Sequence, residues 1–189
     1  LNNYPPILLA SQSPRRHDLL KLAGIEFRVK AANVEEVGPA HLSVHELTEH
    51  IARIKAEAVI GHRKPEEIIV SADTIVLLRN EILGKPKDRN QARDYLQRLS
   101  GTTHDVITSV CLHRGSKSLT FSETTIVYFK ELSESTISQY IATDEPYDKA
   151  GAYAIQGPIG LRSIEKIDGC FFNVMGLPVS RLIEELDKF

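Results

Sequence analysis

Leu8-Leu9-Ala10-Ser11-Gln12-Ser13-Pro14-Arg15-Arg16 passes directly from an apolar strand into the start of a helix, the first step of an α/β alternation along the chain. Ser13 suits an N-cap and Pro14 a first helical position, which puts Arg15 and Arg16 at the second and third helical positions. Cations are disfavoured there, because a helix N-terminus carries about half a positive charge and several unpaired N–H groups. A bound anion offsets that cost. A polyphosphate gripped by serine hydroxyls, backbone N–H groups and guanidinium forks suits a strand-to-helix turn of this kind. Two solvated arginines on a surface helix are the alternative.

Working outward, 189 residues with 42% apolar content are enough for one core that buries roughly 70% of the unfolded chain's surface. A single domain over residues 1–189, arranged as two lobes, is expected. A formal charge of −2 leaves no broad basic face, so neither a nucleic acid nor a membrane surface is expected as a partner. Cys111 and Cys170 sit in apolar strand-like contexts without metal-ligand spacing, which points to reduced thiols. No apolar run reaches transmembrane length, and the start at Leu1 has no charged-then-apolar leader pattern, so a cytoplasmic setting is expected.

The pattern along the chain predicts a buried strand over Ile7–Ala10, a helix ended by Gly24, and a second strand through Phe27, Val29 and Ala31. A polar loop from Glu35 to Ser43 precedes a helix over Val44–Ile60, with Gly61 as its C-cap. Ile68–Ser71 and Thr74–Leu78 read as two β-type runs separated by Ala72-Asp73, followed by a turn at Arg79–Glu81 and a break at Gly84-Lys85-Pro86. A helix over Arg89–Leu99, a hairpin of strands His104–His113 and Leu119–Phe129, and a helix opened by Ser133 follow. After a Gly-rich stretch from Asp148 to Gly160 comes a terminal helix over Leu177–Leu186 that contains Pro178. Alternating strands and helices followed by a hairpin predict a mixed sheet flanked by helices. Neither a dinucleotide fingerprint nor a P-loop is present.

Several residues carry chemical promise. Lys55 occupies the apolar stripe of the second helix, so its ammonium must snorkel or meet an anion. Asp73 interrupts an otherwise buried β run and must be paired, metal-bound or at a strand end. It can activate water or bind magnesium, or it can be an ordinary turn aspartate. Glu35 and Glu36 form a loop pair that could complete a hard-cation site or simply be solvated. Lys85 is presented from a constrained turn that suits a phosphate contact, or it is an ordinary surface lysine. His104 and Thr108 share one strand face and could line a cleft or merely a wet sheet face. Gln156 lies among small residues that allow close approach of a ligand, and its amide can donate to O4 and accept from N3–H of uracil or thymine.

These motifs occur in an order that resembles the Maf-like nucleoside triphosphate pyrophosphatases over nearly the whole chain. They are Ser11–Arg16, Glu35-Glu36, Lys55-Ala56, Ser71–Thr74, Gly84–Pro86, Leu99–Gly101 with His104 and Thr108, and Asp148–Gly157. The resemblance implies the elongated α/β fold of the inosine-triphosphatase-like superfamily, a mixed sheet flanked by helices with a central cleft between two lobes. It also implies a divalent metal (Mg²⁺ or Mn²⁺), a homodimer, and hydrolysis of a nucleoside triphosphate to monophosphate and pyrophosphate. By this resemblance Asp73 is the proton acceptor and a metal ligand with Glu36, and Ser11, Ser13, Arg15, Arg16, Lys55 and Lys85 hold phosphates. Arg16, Thr74 and Gln156 match the specificity positions of the dTTP/UTP branch. A 7-methyl-GTP-type pyrophosphatase, and a nucleotide-binding regulator of septum formation with little catalysis, are the competing expectations.

Overall fold

Ile7, Leu8 and Leu9 are fully buried and form the strand β1 (Ile7–Leu9), hydrogen-bonded in parallel along both edges. A strand paired in this way is covered on both faces and reads as a continuous apolar run. Its neighbours are β2 (Phe27–Val29), with Phe27 opposite Ile7, and β3 (Ile68–Leu78), with Ile68 opposite Ile7. β4 (Glu81–Leu83) folds back antiparallel on β3, and β5 (Thr103–Arg114) is joined to β6 (Lys117–Phe129) by the two-residue turn Gly115-Ser116. β7 (Ile164–Asp168) runs antiparallel to β6. In this computed structural model, which describes residues 4–189, the sheet has seven strands ordered β2-β1-β3-β5-β6-β7, with β4 beside β3. Leu1, on which the leader expectation rests, lies outside the described residues.

The helices are α1 (Pro14–Leu22), α2 (Val44–Glu57), α3 (Arg89–Leu99), α4 (Glu134–Tyr140), α5 (Pro158–Ser163), α6 (Phe171–Met175) and α7 (Val179–Lys188). Among the described residues none is long and apolar enough to cross a membrane. A mixed sheet with accompanying helices is therefore the observed architecture, as the alternation of patterns predicts.

The chain packs as two compact units. The first comprises the described residues up to Asp73 together with Thr108–Glu123 and Gly176–Phe189; the second comprises Thr74–Ile107 and Thr124–Met175. Leu8 and Ile69, side by side in the β1/β3 register, anchor the core of the first unit with Ala52, Ala56 and Val59. Burying a side chain of that size contributes about 1.5–3 kcal/mol. The core of the second gathers Val76, Leu96, Leu99, Val127, Phe129 and Ile159.

Three local expectations are corrected. Ala72-Asp73 does not break the strand: β3 runs unbroken from Ile68 to Leu78, and Asp73 lies within it. An ion pair described below removes the cost that a lone buried carboxylate would impose. α2 ends at Glu57 with Ala58 as its cap, and Gly61 lies inside a separate 3₁₀ turn, Ile60–His62. The terminal helix begins at Val179, with Pro178 at its N-cap, where the missing proline N–H costs nothing. Ser13 occupies the N-cap of α1 as expected, with no capping bond from its side chain.

α5, β7 and α6 were not expected. Gly157-Pro158 reads as loop punctuation, yet Gly157 is an N-cap and Pro158 a first helical residue. The polar, largely exposed β7 lacks the alternation that marks a half-buried strand.

Candidate active site

The capping box of α2 fixes the placement of Lys55: Ser43 Oγ accepts from the Glu46 N–H while the Glu46 carboxylate accepts from the Ser43 N–H. From this helix Ile51, Ala52 and Ala56 enter the core, and Lys55 is carried in with them at 8% exposure. Its ammonium does not snorkel to water. Nζ lies 2.8 Å from Asp73 Oδ1 and 2.8 Å from Glu36 Oε1. Ser71, two residues before Asp73 on the same strand face, donates its hydroxyl to the Ala52 carbonyl and ties β3 to α2. Glu36, rather than Glu35, is thus the loop carboxylate brought to Lys55.

The strand-to-helix junction is organised around Ser11 and Arg16, both 8% exposed. Arg16 donates from Nε to the Gly176 carbonyl at 2.8 Å, and from Nη1 to the Ala72 carbonyl at 2.8 Å and to Ser11 Oγ at 3.2 Å. Burial pulls the Arg16 guanidinium below the ordinary arginine value; Asp73 and Glu36 push it back up, while Arg15 lowers it further. Ser11 Oγ also accepts from the Ser13 N–H at 3.2 Å, and the Ser11 carbonyl accepts from His17 Nε2 at 2.9 Å. A hydroxyl has two lone pairs and one proton. With both lone pairs engaged, the Ser11 O–H is left to donate. Arg15 and Ser13 are half-buried on the same turn, and α1 has no acidic residue in its first turn.

Within the first unit the structure therefore brings together Ser11, Ser13, Arg15, Arg16, Glu36, Lys55 and Asp73. Three cations face two carboxylates, an excess of positive charge suited to an anion. The role of the Ala72 and Gly176 carbonyls has no sequence signal, because a backbone acceptor is available at every residue.

Thr74, Lys85 and Gln156 belong to the second unit. Thr74 is half-buried on β3, and Lys85 is exposed after Gly84, whose carbonyl accepts from the Gly151 N–H at 3.1 Å. That bond ties the Lys85 turn to the Gly-rich stretch. Gly151 has φ 67°, and a Cβ there would meet Val76 Cγ1 at 3.1 Å, so glycine is required on two counts. Gln156 is exposed at the tip of a turn closed by the Gly157 N–H and the Ala154 carbonyl at 3.0 Å. Beneath this turn Gly160 leaves room for the Ile155 carbonyl oxygen, which a Cβ would approach to 2.2 Å.

His104 and Thr108 are both buried, so the face they share on β5 is not a wet one; His104 belongs to the second unit and Thr108 to the first. Burial lowers the His104 pKa from 6.5 to about 4. Between those values the unfolded chain binds the proton and the folded chain does not, so this stability is fully present above pH 6.5 and is lost as pH falls toward 4. Denaturant titrations across that window should show a loss of about 3 kcal/mol from this group. His104→Phe should flatten the slope; equal slopes in both proteins would contradict the assignment.

The sequence profile of the family described as Maf-like protein matches residues 6–189. A protein of Cytophaga hutchinsonii named dTTP/UTP pyrophosphatase is 48% identical over 182 residues, covering 96% of this chain and 83% of that protein. One of the same name from Bacillus cereus is 45% identical over 187 residues, covering 99% and 91%. Among solved structures, the Staphylococcus aureus Ham1 protein aligns over 97% of this chain and 98% of its own with a TM-score of 0.55 at 14% identity, a likeness of fold.

Proposed function

Because this chain belongs to the Maf-like protein family, we propose that it hydrolyses dTTP and UTP to the nucleoside monophosphate and pyrophosphate, the activity for which its relatives are named. The observation that carries this reading is the Lys55 ammonium held between Glu36 and Asp73, in the same unit as the Ser11–Arg16 turn.

In this reading the phosphates are bound by the Ser11 hydroxyl, by Ser13 and Arg15 on the turn, by Lys85, and by the third N–H of Lys55, whose other two meet carboxylates. Arg16, expected among them, instead donates from Nε and Nη1 to the Gly176 and Ala72 carbonyls and Ser11 Oγ. Asp73 accepts the proton of a water that attacks the α-phosphorus. The new P–O bond gives the monophosphate, the α–β bridging bond breaks, and its oxygen leaves with pyrophosphate. Charge grows on that leaving group, so contacts to it strengthen in the transition state and raise kcat.

The donor set fits a divalent cation, Mg²⁺ or Mn²⁺. Among the described residues no cluster of three or more His, Cys, Asp or Glu side chains is formed, but magnesium is commonly held by one or two carboxylates together with substrate phosphates. Glu36 and Asp73 would hold it, and when bound it supplies charge neutralisation to the phosphates. Gln156 reads the O4/N3 edge of the base, with Thr74 and Arg16 as the other specificity residues. A cytoplasmic homodimer completes the reading on resemblance alone, and sedimentation velocity tests it.

Arg15→Ala should lower kcat/KM for dTTP about 10- to 100-fold, the loss of one charge-assisted contact. Wild-type kcat/KM would remove Arg15 from the phosphate site.

Pyrophosphate release measured with dTTP, UTP, CTP, ATP, GTP and 7-methyl-GTP, with and without Mg²⁺, tests the whole reading. Metal-dependent release fastest with dTTP and UTP is expected. Preference for 7-methyl-GTP, or nucleotide binding without release, would overturn it.

A further inference from the structure

The second unit contains a buried polar pair that the chemistry above leaves unused. His104 is 3% exposed and Tyr153 5%. His104 Nε2 and the Tyr153 hydroxyl are 2.6 Å apart, and Phe129 meets both rings edge-on, with centroids at 5.1 and 4.8 Å. Burial moves the two groups in opposite directions, His104 down and Tyr153 up, so both are neutral near pH 7. Phenol is the stronger donor and imidazole nitrogen the stronger acceptor, so Tyr153 donates to Nε2. His104 Nδ1 makes no hydrogen bond among the described residues, which leaves Tyr153 as the polar anchor of the ring.

Two phenylalanines would fill this space without burying polar atoms, so the pair contributes direction rather than burial. What it directs is close at hand. Tyr153 immediately precedes the Ala154–Gly157 turn that presents Gln156, and follows two residues with positive φ, Gly151 at 67° and Ala152 at 64°. Alanine in that region is strained, and such a conformation persists only when its surroundings over-determine it. The carbonyls of Ala154 and Ile155, the first two residues of the turn, lie where a Cβ on Gly160 would stand, at 2.4 and 2.2 Å. The turn is therefore anchored by the Tyr153 hydroxyl before it and packs closely on the backbone at Gly160, an approach that only glycine allows.

We infer that the hydrogen bond from Tyr153 to His104 fixes the turn that presents Gln156, making His104 and Tyr153 positioning residues for base selection. The inference rests on the reading that Gln156 contacts the base.

The test uses the full chain with Tyr153→Phe, which keeps the ring and its packing and deletes one oxygen. Hydrogen exchange of the Ala154–Gly157 amides should accelerate about tenfold, the shift a lost neutral hydrogen bond permits, without matching acceleration over Thr74–Leu99. The dTTP:CTP ratio of kcat/KM should fall severalfold through KM, with kcat held within about twofold. Unchanged exchange, or acceleration spread evenly over the second unit, would overturn the inference. Local acceleration with an unchanged ratio would also overturn it if Gln156→Ala does lose selectivity. If Gln156→Ala keeps wild-type selectivity, the base reading of Gln156 fails, and the base-selection role falls with it; the exchange arm still decides whether the pair orders the turn.

Discussion

Asp73→Asn is expected to lower kcat for dTTP about 10³-fold in a protein that stays folded. Asparagine keeps the size of the side chain and its place within β3, so the strand and its neighbours need not move. What is lost is the negative charge 2.8 Å from Lys55 Nζ and the oxygen able to accept a proton. Glu36 remains on the ammonium at 2.8 Å, so Lys55 is not left as a buried charge without a counter-ion. The result is a chemical defect with a small change in stability, read as a collapse of kcat with a melting transition near that of the wild type. Wild-type turnover by a homogeneous, folded Asp73→Asn sample would remove Asp73 from the reaction.

Arg16→Ala is expected to act in the opposite sense, on the scaffold first. Its guanidinium satisfies the buried carbonyls of Ala72 and Gly176 and holds Ser11 Oγ. Truncation leaves those acceptors without their charged donor and opens a void, a loss of about 4 kcal/mol. For a chain of this length that lowers the melting temperature by roughly 10 °C. Arg16→Lys should recover little, because one ammonium cannot reproduce a planar fork aimed at three oxygens. The Ala72 carbonyl precedes Asp73 in β3, so the part of the sample that remains folded should also turn over slowly. A melting temperature within 2 °C of wild type, well short of that roughly 10 °C, would show that these carbonyls find other partners.

Much of this site is legible in the sequence, and the illegible part has a physical reason. Arg15 and Arg16 stand out because the electrostatics of a helix start are local and disfavour cations. Lys55 and Asp73 stand out because charge interrupts an apolar period. Each of those signals states a need for a counter-ion without naming it, and the structure shows that the two needs, together with Glu36, answer one another. The same ion pair explains why β3 continues where the sequence suggested a break: once neutralised, a carboxylate within a strand no longer has to mark its end.

Long-range partners carry no such signal. Arg16 meets the carbonyl of a residue 160 positions away, and His104 meets a tyrosine 49 positions away. No periodicity links such pairs. α5, β7 and α6 were missed for a different reason: Gly157-Pro158 serves equally as loop and as helix start, and β7 is mostly polar, so propensity alone could not separate them.

The central claim is that water attacks the α-phosphorus of a pyrimidine nucleoside triphosphate. Hydrolysis of dTTP in ¹⁸O-water, with both products analysed by mass spectrometry, tests it most directly. The account predicts one ¹⁸O atom in dTMP and none in pyrophosphate. Label in pyrophosphate, or release of orthophosphate with dTDP, would contradict it.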